Sequence, residues 1–251
     1  MPRCSIIMTL FDREDFVAEA IQSVIDQTED DWGLIVRDDG STDRSFEIAR
    51  EFADHDPRIE AYQGEHVGQT LGLIDAFPRA AASYIGQLDS DDRLAPDALA
   101  RTCDYLDAHP KVGMVYTQHR YLDPDGELGD IGPSCLKPYS AQQLLTTFMT
   151  FHFRLIRRDA YDAAGGFNPD LPYAQDYDLC LRLSEVTEIG RIPEPLYHYR
   201  VGGDSISTDK RFEQIECSKR AVEDALQRRG MTDQYELDVR LRSTFRLLPR
   251  R

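Results

Sequence analysis

Four polar residues, three of them carboxylates, follow a short apolar segment near the middle of the chain. Asp89, Ser90, Asp91 and Asp92 come directly after residues 85–88. Like charges at the end of a buried strand need a counterion, and hard oxygen ligands suit Mg²⁺ or Mn²⁺, which keep several waters and share phosphate oxygens with a substrate. We predict that Asp91 holds a Mn²⁺ or Mg²⁺ ion with help from Asp89 or Asp92. The alternative is a solvated loop in which Asp92 caps the next helix.

Two other kinds of acidic motif fit this segment poorly. An EF-hand calcium loop needs an oxygen ligand and then a glycine where the sequence has Arg93 and Leu94, so that loop is excluded. An aspartate-nucleophile phosphatase shares the Asp-x-Asp spacing of Asp89 and Asp91. Enzymes of that class resemble one another in carrying Thr or Val where this chain has Arg93, and release of phosphate from simple phosphoesters would decide for a phosphatase.

A second acidic string, residues 38–43, follows the apolar residues 34–36. A carboxylate placed there, such as Asp39, can accept hydrogen bonds from a nucleobase or a ribose. Gly40 permits a tight turn. Because aspartate, glycine and serine are common in any strand-to-helix turn, the string gains weight only beside the first cluster.

An acidic pair, Asp176 and Asp178, opens a predicted helix that begins at Gln175. The positive end of a helix dipole stabilises a carboxylate as the anion, and an anion held there can take a proton. Asp176 is therefore the candidate general base. From this local pattern alone, an ordinary helix cap by Asp176 is an equally good interpretation.

His198 and Arg200 alternate with two tyrosines in a segment of strand-like pattern, so their side chains are expected on one face. His198 is a candidate metal ligand, although a structural role is an equally good interpretation of a single histidine. Arg200 precedes two glycines and is a candidate clamp for a phosphate group.

These residues need a framework that brings them together. Apolar runs at residues 4–9, 34–36, 59–62 and 84–88 alternate with segments of helical periodicity, which predicts an α/β fold with a mostly parallel sheet. In open sheets of this kind the ligand crevice lies beyond the carboxyl ends of the strands. The acidic segments that follow the predicted strands are therefore expected in one crevice.

The second half of the chain is less regular. The pattern predicts a strand at 112–116, a turn at 123–126, a helix at 141–149, a strand at 153–156, a helix from 175 to about 184 and a charged amphipathic helix at 209–229. With no internal repeat and no low-complexity linker, a separate second domain is not indicated.

The charge balance excludes nucleic acid as a partner. The 251 residues include 45 acidic and 29 basic side chains, a formal net charge of −16, so a phosphate backbone is repelled. The same charge predicts a divalent cation or local arginines wherever an anionic ligand binds. The five cysteines form no close pair, and no segment is apolar enough to span a bilayer, so we expect reduced thiols and a cytoplasmic protein.

The motifs together resemble the family 2 inverting glycosyltransferases with the GT-A fold, especially bacterial spore-coat polysaccharide and capsule-type enzymes. Five motifs occur in the family's order over roughly the first 205 residues. They are residues 5–9 with Phe11, 38–43, 88–92, 165–167 with 176–179, and 197–207. Each motif is weak alone, but the set is specific.

The resemblance implies a nucleotide diphosphate sugar as the donor, usually of UDP, and a hydroxyl of a glycan or another molecule as the acceptor. It implies that Thr9 and Asp39 contact the nucleobase with Phe11 stacked against it, and that Asp89 touches the ribose. A catalytically silent nucleotide-sugar or glycan binder is the alternative.

The resemblance also assigns the chemistry. Asp91 matches the aspartate that coordinates the metal on the diphosphate, and Asp176 matches the base that removes the proton of the acceptor hydroxyl. The acid that commonly precedes this base is Gln175 here. Leu10 and Asp12 replace the more usual small or amide residues of the first loop.

We predict a single nucleotide-binding, Rossmann-like GT-A domain at residues 1–205, divided into a donor half at 1–116 and an acceptor half at 117–205. A C-terminal helical tail at 206–251 follows. Its arginines favour solvation, with peripheral contact to a membrane as the other option. They are Arg240, Arg242, Arg246, Arg250 and Arg251.

Overall fold

A mixed sheet with helices packed on both faces forms the framework of the protein. The computed structural model describes residues 1–202 and 210–240. In this part of the chain the sheet has nine strands: β1 (Cys4–Leu10), β2 (Trp32–Asp38), β3 (Ile59–Gln63), β4 (Tyr84–Gln87), β5 (Arg93–Leu94), β6 (Val112–Leu122), β7 (Leu128–Ile131), β8 (Arg154–Arg157) and β9 (Glu188–Arg200).

The same described residues contain seven α-helices: α1 (Val17–Ile25), α2 (Ser45–His55), α3 (Gln69–Ala76), α4 (Ala98–Ala108), α5 (Arg158–Ala163), α6 (Gln175–Val186) and α7 (Arg211–Arg228). Short 3-10 helices occur at Phe77–Arg79, Pro133–Leu136 and Gln143–Leu145. The longer helices are amphipathic, and each buries one apolar stripe against the sheet or a neighbouring helix.

The first part of the sheet is parallel, in the order β3-β2-β1-β4. The order then continues as β8-β6-β9-β5, and β8 runs antiparallel to both β4 and β6. The predicted α/β fold is confirmed, and its first four strands are parallel, as expected. In register, Leu10 pairs with Asp38 and Ile7 pairs with Gln87, so β1, β2 and β4 end at one edge of the sheet.

Two hydrophobic cores lie on the two faces of the sheet. On β1, Ile6 and Met8 pack with residues of α1, α2 and α4, whereas Ile7 packs with residues of α3, α6 and α7. Neighbouring side chains on a strand point to opposite faces. A strand that is covered on both faces is therefore apolar at nearly every position, which explains the composition of residues 4–10.

The predicted helix at residues 141–149 is wrong. Only Gln143–Leu145 forms a helical turn, and the chain then runs to β8 without further regular structure. The next two residues, Thr146 and Thr147, are β-branched and disfavour a helix, whereas the apolar residues that suggested one are buried without it.

The predicted turn at residues 123–126 is confirmed and joins β6 to β7. Gly126, at a φ of +87°, adopts the left-handed backbone conformation of this turn. β9 begins at Glu188 and is far longer than the strand-like segment seen in the sequence, because it pairs with β6 along most of its length.

α7 confirms the amphipathic helix expected in the tail, and it packs on α6 through the fully buried Ala221 and Ala225. The end of the last family motif, the boundary between residues 205 and 206, and the arginines after residue 241 lie outside the described residues. Within residues 1–202 and 210–240, none of the helices combines the length and hydropathy that a bilayer crossing needs.

Candidate active site

The carboxyl ends of β1, β2 and β4 lie at one edge of the sheet, and most of the predicted site residues lie at this edge. Thr9 is near the end of β1, Asp39 follows β2, and Asp89 lies two residues beyond β4. α6 brings Asp176 to the same region from the second half of the chain, because its first turn is hydrogen-bonded to Gln69 at the start of α3, which in turn donates to Asp89. The parallel register of β1, β2 and β4 brings Thr9, Asp39 and Asp89 to the same edge of the sheet. The antiparallel pairing of β8 with β4 joins the second half of the chain to this part of the sheet.

Asp39 is buried and holds the loop that precedes α3. Its two carboxylate oxygens accept hydrogen bonds from the backbone amides of Val67, at 3.0 Å, and Gly68, at 2.9 Å. The buried guanidinium of Arg37 and the ring of His66 also contact this carboxylate. Burial alone would raise the pKa of Asp39, but these donors outweigh it and hold the pKa below its ordinary value.

An aromatic pair lies above this carboxylate. The ring of Phe11 is 39% exposed and its centroid lies 4.4 Å from that of His66. An exposed ring at the end of β1 offers a surface on which a planar base can stack. Thr9 lies two residues earlier, on the same strand, with its methyl group toward Gly72.

Asp89 is held by neutral amide groups. Its Oδ1 accepts hydrogen bonds from the side chains of Gln87, at 3.0 Å, and Gln69, at 3.2 Å. Its Oδ2 lies 3.4 Å from Nε2 of His152, a buried ring whose burial holds its pKa well below the ordinary value. Burial, and then the charge of Asp91, raise the pKa of Asp89 to about 6.

Asp92 has a structural role. Its carboxylate accepts hydrogen bonds from the Tyr197 hydroxyl, at 2.6 Å, and from the backbone amide of Arg200, at 2.7 Å. Asp92 is 1% exposed, and its burial together with the charges of Asp91 and Asp89 holds its pKa well above the ordinary value. The residue therefore fastens β9 to the carboxylate segment instead of facing the crevice.

Asp91 is the most accessible acid of the three. Its side chain is 31% exposed, and Oδ2 lies 3.3 Å from the guanidinium Nε of Arg13. Its backbone oxygen accepts a hydrogen bond from Arg200 at 2.7 Å. Within residues 1–202 and 210–240, no three side chains of His, Cys, Asp or Glu converge into a complete metal cage. Asp91 and Asp89 could therefore supply only some of the ligands of Mg²⁺ or Mn²⁺. Waters and phosphate oxygens usually supply the remaining ligands of such ions.

Asp176 lies in the first turn of α6 and faces Arg154. Oδ2 of Asp176 is 3.2 Å from Nη1 of Arg154, and Oδ1 accepts the backbone amide of Tyr177 at 2.8 Å. Arg154 is 5% exposed, and the same Nη1 also donates to the backbone oxygen of Thr150. Although burial works against its charge, the carboxylate of Asp176 helps to raise the pKa of Arg154. In this ion pair the arginine is buried, whereas the carboxylate of Asp176 remains partly exposed.

Two glutamines connect α6 to the carboxylate segment. The side-chain amide of Gln175 donates to the side-chain oxygen of Gln69 at 3.1 Å, and Gln69 donates to Asp89 at 3.2 Å. Asp176 and Gln87, which also donates to Asp89, line one small cavity. The predicted base and the predicted donor-binding carboxylates thus lie in one connected site.

The structure places His198 apart from this group. Its ring lines a separate open cavity of about 600 Å³, together with Glu19, Arg93 and Leu128. The neighbouring Tyr197 points to the carboxylate segment, so His198, one residue later on β9, points to the other face. Burial and the charges of Arg93 and Arg120 lower the pKa of His198 to about 4.

Arg200 is already committed to protein partners. Its guanidinium donates to the backbone oxygens of Asp91 and Asp123 and pairs with Glu19. It also lies over the ring of Phe16, 4.7 Å from the centroid. Arg200 supports the carboxylate segment from behind, and a phosphate would have to displace these contacts to reach it.

Arg154, Gln69 and His152 are among the residues of the site that the sequence patterns missed. Arg154 stands between apolar residues of a predicted strand, and a charged residue in such a position needs a buried partner, which is a usable signal. Gln69 and His152 have no comparable signal, because their role depends on contacts with Asp89 from distant parts of the chain.

The comparisons with known proteins agree with this architecture. The family model described as Glycosyl transferase family 2 matches residues 5–165. A chondroitin synthase from Escherichia coli is 31% identical over 231 residues, which is 92% of this chain and 34% of that protein. The chain therefore spans about a third of the length of this curated relative.

Two solved structures share the fold. TarS 1-349 of S. aureus in complex with UDP-GlcNAc has a TM-score of 0.75 at 16% identity, over 89% of this chain and 66% of that one. The mannosyltransferase PcManGT from Pyrobaculum calidifontis, in complex with GDP-Man and Mn²⁺, has a TM-score of 0.61 at 17% identity, over 94% of this chain and 76% of that one. At these identities the likeness concerns the fold alone, and it confirms the predicted GT-A type.

Proposed function

The chain belongs to glycosyl transferase family 2, and on that premise we propose that it transfers a sugar from a nucleoside diphosphate donor to an acceptor hydroxyl with inversion at the anomeric carbon. The resemblance drawn from the motifs is confirmed at the level of the family. The donor, the acceptor, the metal ion and the roles of individual residues form the proposal.

The donor nucleotide binds at the ends of β1 and β2 in this proposal. A base stacks on the exposed ring of Phe11, next to Thr9, while Asp39 shapes the subsite by holding the loop at Val67 and Gly68. The ribose reaches Asp89. The TarS complex with UDP-GlcNAc supports a UDP-sugar, and the chondroitin synthase relative supports a polysaccharide as the product.

Asp91 and Asp89 are the residues proposed to hold Mn²⁺ or Mg²⁺. Asp91 is partly exposed beside the crevice, and Asp89 presents an oxygen that burial leaves poorly compensated. When bound, the ion neutralises charge on the leaving diphosphate. The Mn²⁺ complex of the mannosyltransferase supports such a site. His198 is left out of it, because its ring lines a different cavity.

Asp176 is the proposed general base. The acceptor oxygen forms a bond to the anomeric carbon, its proton passes to the Asp176 carboxylate, and the bond from that carbon to the diphosphate oxygen breaks. Attack opposite the leaving group inverts the configuration. A positioned base typically contributes about 10² to 10⁴ in rate. Arg154 fixes the orientation of Asp176 through their 3.2 Å contact.

The hydrogen-bonded connection from Asp89 through Gln69 to Gln175, the residue before Asp176, supports the proposal, since it links the carboxylate proposed to bind the donor to the helix of the proposed base. The two proposed halves of the domain then have separate tasks. Residues 1–116 supply the nucleotide and metal contacts, and residues 117–205 supply the base.

Two matched substitutions test this division. Asp91→Asn is expected to abolish Mn²⁺-dependent binding of UDP, because it removes the accessible metal carboxylate. Asp176→Asn is expected to leave that binding within about threefold while release of UDP from a UDP-sugar falls by about 10² to 10⁴. Calorimetric titration and UDP release measure the two effects. The exposed Asp125→Asn is the control, and normal turnover by Asp176→Asn would reject the base.

A further inference from the structure

Gln175 stands where the family resemblance expects an acid, and in the structure its buried side chain contacts Gln69, which is half-buried. Gln175 is 6% exposed, and its amide nitrogen lies 3.1 Å from the side-chain oxygen of Gln69. Gln69 in turn donates to Oδ1 of Asp89 at 3.2 Å. The three side chains form a continuous hydrogen-bonded path from α6 to the carboxylate segment.

The carboxylate of Asp89, at the end of the path, determines which side-chain groups of Gln69 and Gln175 donate and which accept. An ionised carboxylate only accepts hydrogen bonds, so Gln69 must turn its NH₂ group toward Asp89. The oxygen of Gln69 then faces residue 175, which must donate. Glutamine at position 175 does so, whereas an ionised glutamate has no proton to offer.

The path also bears on where Asp176 lies. Gln175 and Asp176 are consecutive residues in the first turn of α6, and Asp176 is held on its other side by Arg154. The first turn of α6 is thus held by two contacts, one to Arg154 of β8 and one to Gln69 at the start of α3, which in turn donates to Asp89. Reaction rates are sensitive to displacements of about 1 Å in the reacting groups.

We propose that Gln69 and Gln175 are positioning residues that hold the helix of Asp176 in register with the donor-binding carboxylates, and that the polarity of their relay requires an amide at position 175. The inference rests on the proposed function and deepens it, because it explains why an acid is absent beside the base. In the wild-type path each donor group faces an acceptor. An ionised acid at position 175 instead leaves two acceptor oxygens facing each other.

Gln175→Glu is the direct test. The carboxylate it introduces faces the oxygen of Gln69, or, if Gln69 rotates, the oxygen of Gln69 faces Asp89. We expect release of UDP from UDP-GlcNAc with Mn²⁺ to fall by about 100-fold while the Kd of UDP changes by less than about threefold. The melting temperature of the unbound protein is expected to fall by about 3 to 6 °C.

A double variant distinguishes a mismatch of hydrogen-bond donors and acceptors from a general loss of packing at position 175. In Gln69→Lys with Gln175→Glu, an ammonium group donates to both Asp89 and the new carboxylate. Each acceptor in the path then faces a donor again. This double variant is expected to regain at least about tenfold in turnover over Gln175→Glu, and most of the lost melting temperature. Gln22→Glu is the control, because Gln22 also donates to an aspartate, Asp26, but on the exposed surface of α1.

Gln175→Glu with unchanged melting temperature and turnover would overturn the relay, and so would a double variant no better than the single one. If the wild-type protein neither binds UDP nor releases it from UDP-GlcNAc, the function proposed above fails in that form. The melting temperatures of the single and double variants still test the relay in that case, because they need no substrate.

Discussion

The carboxylates of the site differ in the groups that hold them. Asp39, Asp91 and Asp176 each face an arginine, namely Arg37, Arg13 and Arg154. Among the described residues, the carboxylate of Asp89 contacts the amides of two glutamines and a neutral histidine, and the charge of Arg154 acts on it without a hydrogen bond being formed. It therefore carries a charge that the unbound protein compensates poorly, and a cation is the natural partner for it.

The pKa of Asp89 makes the stability of the unbound protein depend on pH. The pKa is about 6 in the folded protein against 3.8 ordinarily, so the folded state binds the proton more tightly than the unfolded chain. Below pH 3.8 this contribution to stability is fully present. It is lost as the pH rises through 6, and the loss amounts to at most about 3 kcal/mol.

Asp89→Asn should remove this dependence, because an amide has no charge to bury. We expect the variant to melt at a higher temperature than the wild-type protein at pH 7.5, by about 3 to 8 °C, with a smaller difference at pH 4.5. Scanning calorimetry without metal or nucleotide measures it, with Asp125→Asn as the control. A variant that melts lower at pH 7.5 would show that the charge of Asp89 is well compensated.

At the level of single residues, the sequence predicted the acids better than their partners. Asp39, Asp89 and Asp176 could be found because they follow an apolar run or open a helix. Arg154 and Gln69 could not be assigned to them, because contacts across 22 and 20 residues depend on how the elements pack. Asp92 was grouped with the metal candidates, and only the packing of β9 shows that its oxygens are used.

At the level of elements, β9 holds the acidic segment at residues 89–92 in place. Its residues Tyr197 and Arg200 hold Asp92, and its backbone pairs with β5, which directly follows the acidic segment. The position of Asp91 therefore depends on a strand more than 90 residues away in the sequence. Strand pairing at this distance has no local signature, so only residues 196–200 of β9 were recognised.

Tyr197→Phe tests this attachment. The substitution removes the hydroxyl that donates to Asp92 at 2.6 Å and leaves a buried carboxylate oxygen without that donor. We expect a loss of about 1 to 3 kcal/mol in the free energy of unfolding, measured by urea titration. Tyr235→Phe, at a half-exposed ring, is the control. Equal stability of the two variants would contradict the role given to Tyr197.

The parallel half of the sheet was the easier half to predict, for a physical reason. Strands covered on both faces are short apolar runs, and the helices between them show clear amphipathic spacing. In the second half, β6 and β9 pair in parallel with register shifts, and the stretch before β8 buries apolar side chains without a helix. Burial there is achieved by tertiary packing that leaves no regular period in the sequence.

At the level of the whole molecule, the tail helix α7 is part of the second core. Ala221 and Ala225 are fully buried against α6, the helix that carries Asp176 at its other end. Arg228 and Arg229 add contacts to Glu185 near the end of α6. The predicted tail is thus joined to the domain through a helix of the candidate site.

Ala225→Glu should detach α7, because the new carboxylate would be buried without a partner. We expect amide hydrogen exchange in α7 to accelerate by at least about tenfold, with a smaller increase in α6. Gln227→Glu places the same group on the exposed side of the helix and should leave exchange unchanged. Protection of α7 that survives Ala225→Glu would show that the helix is held mainly by Arg228 and Arg229.

The arginines around the crevice bear on how an anionic nucleotide reaches it. Arg13, Arg37, Arg154 and Arg200 all have protein acceptors already, and the surrounding molecule has a formal charge of −16. A bare nucleotide therefore approaches against a repulsive long-range field, whereas a chelate in which a divalent cation already covers the phosphates is nearly neutral. For the proposed function, arrival of the preformed chelate is therefore the route with the lowest electrostatic barrier, and the cation would enter and leave with the substrate.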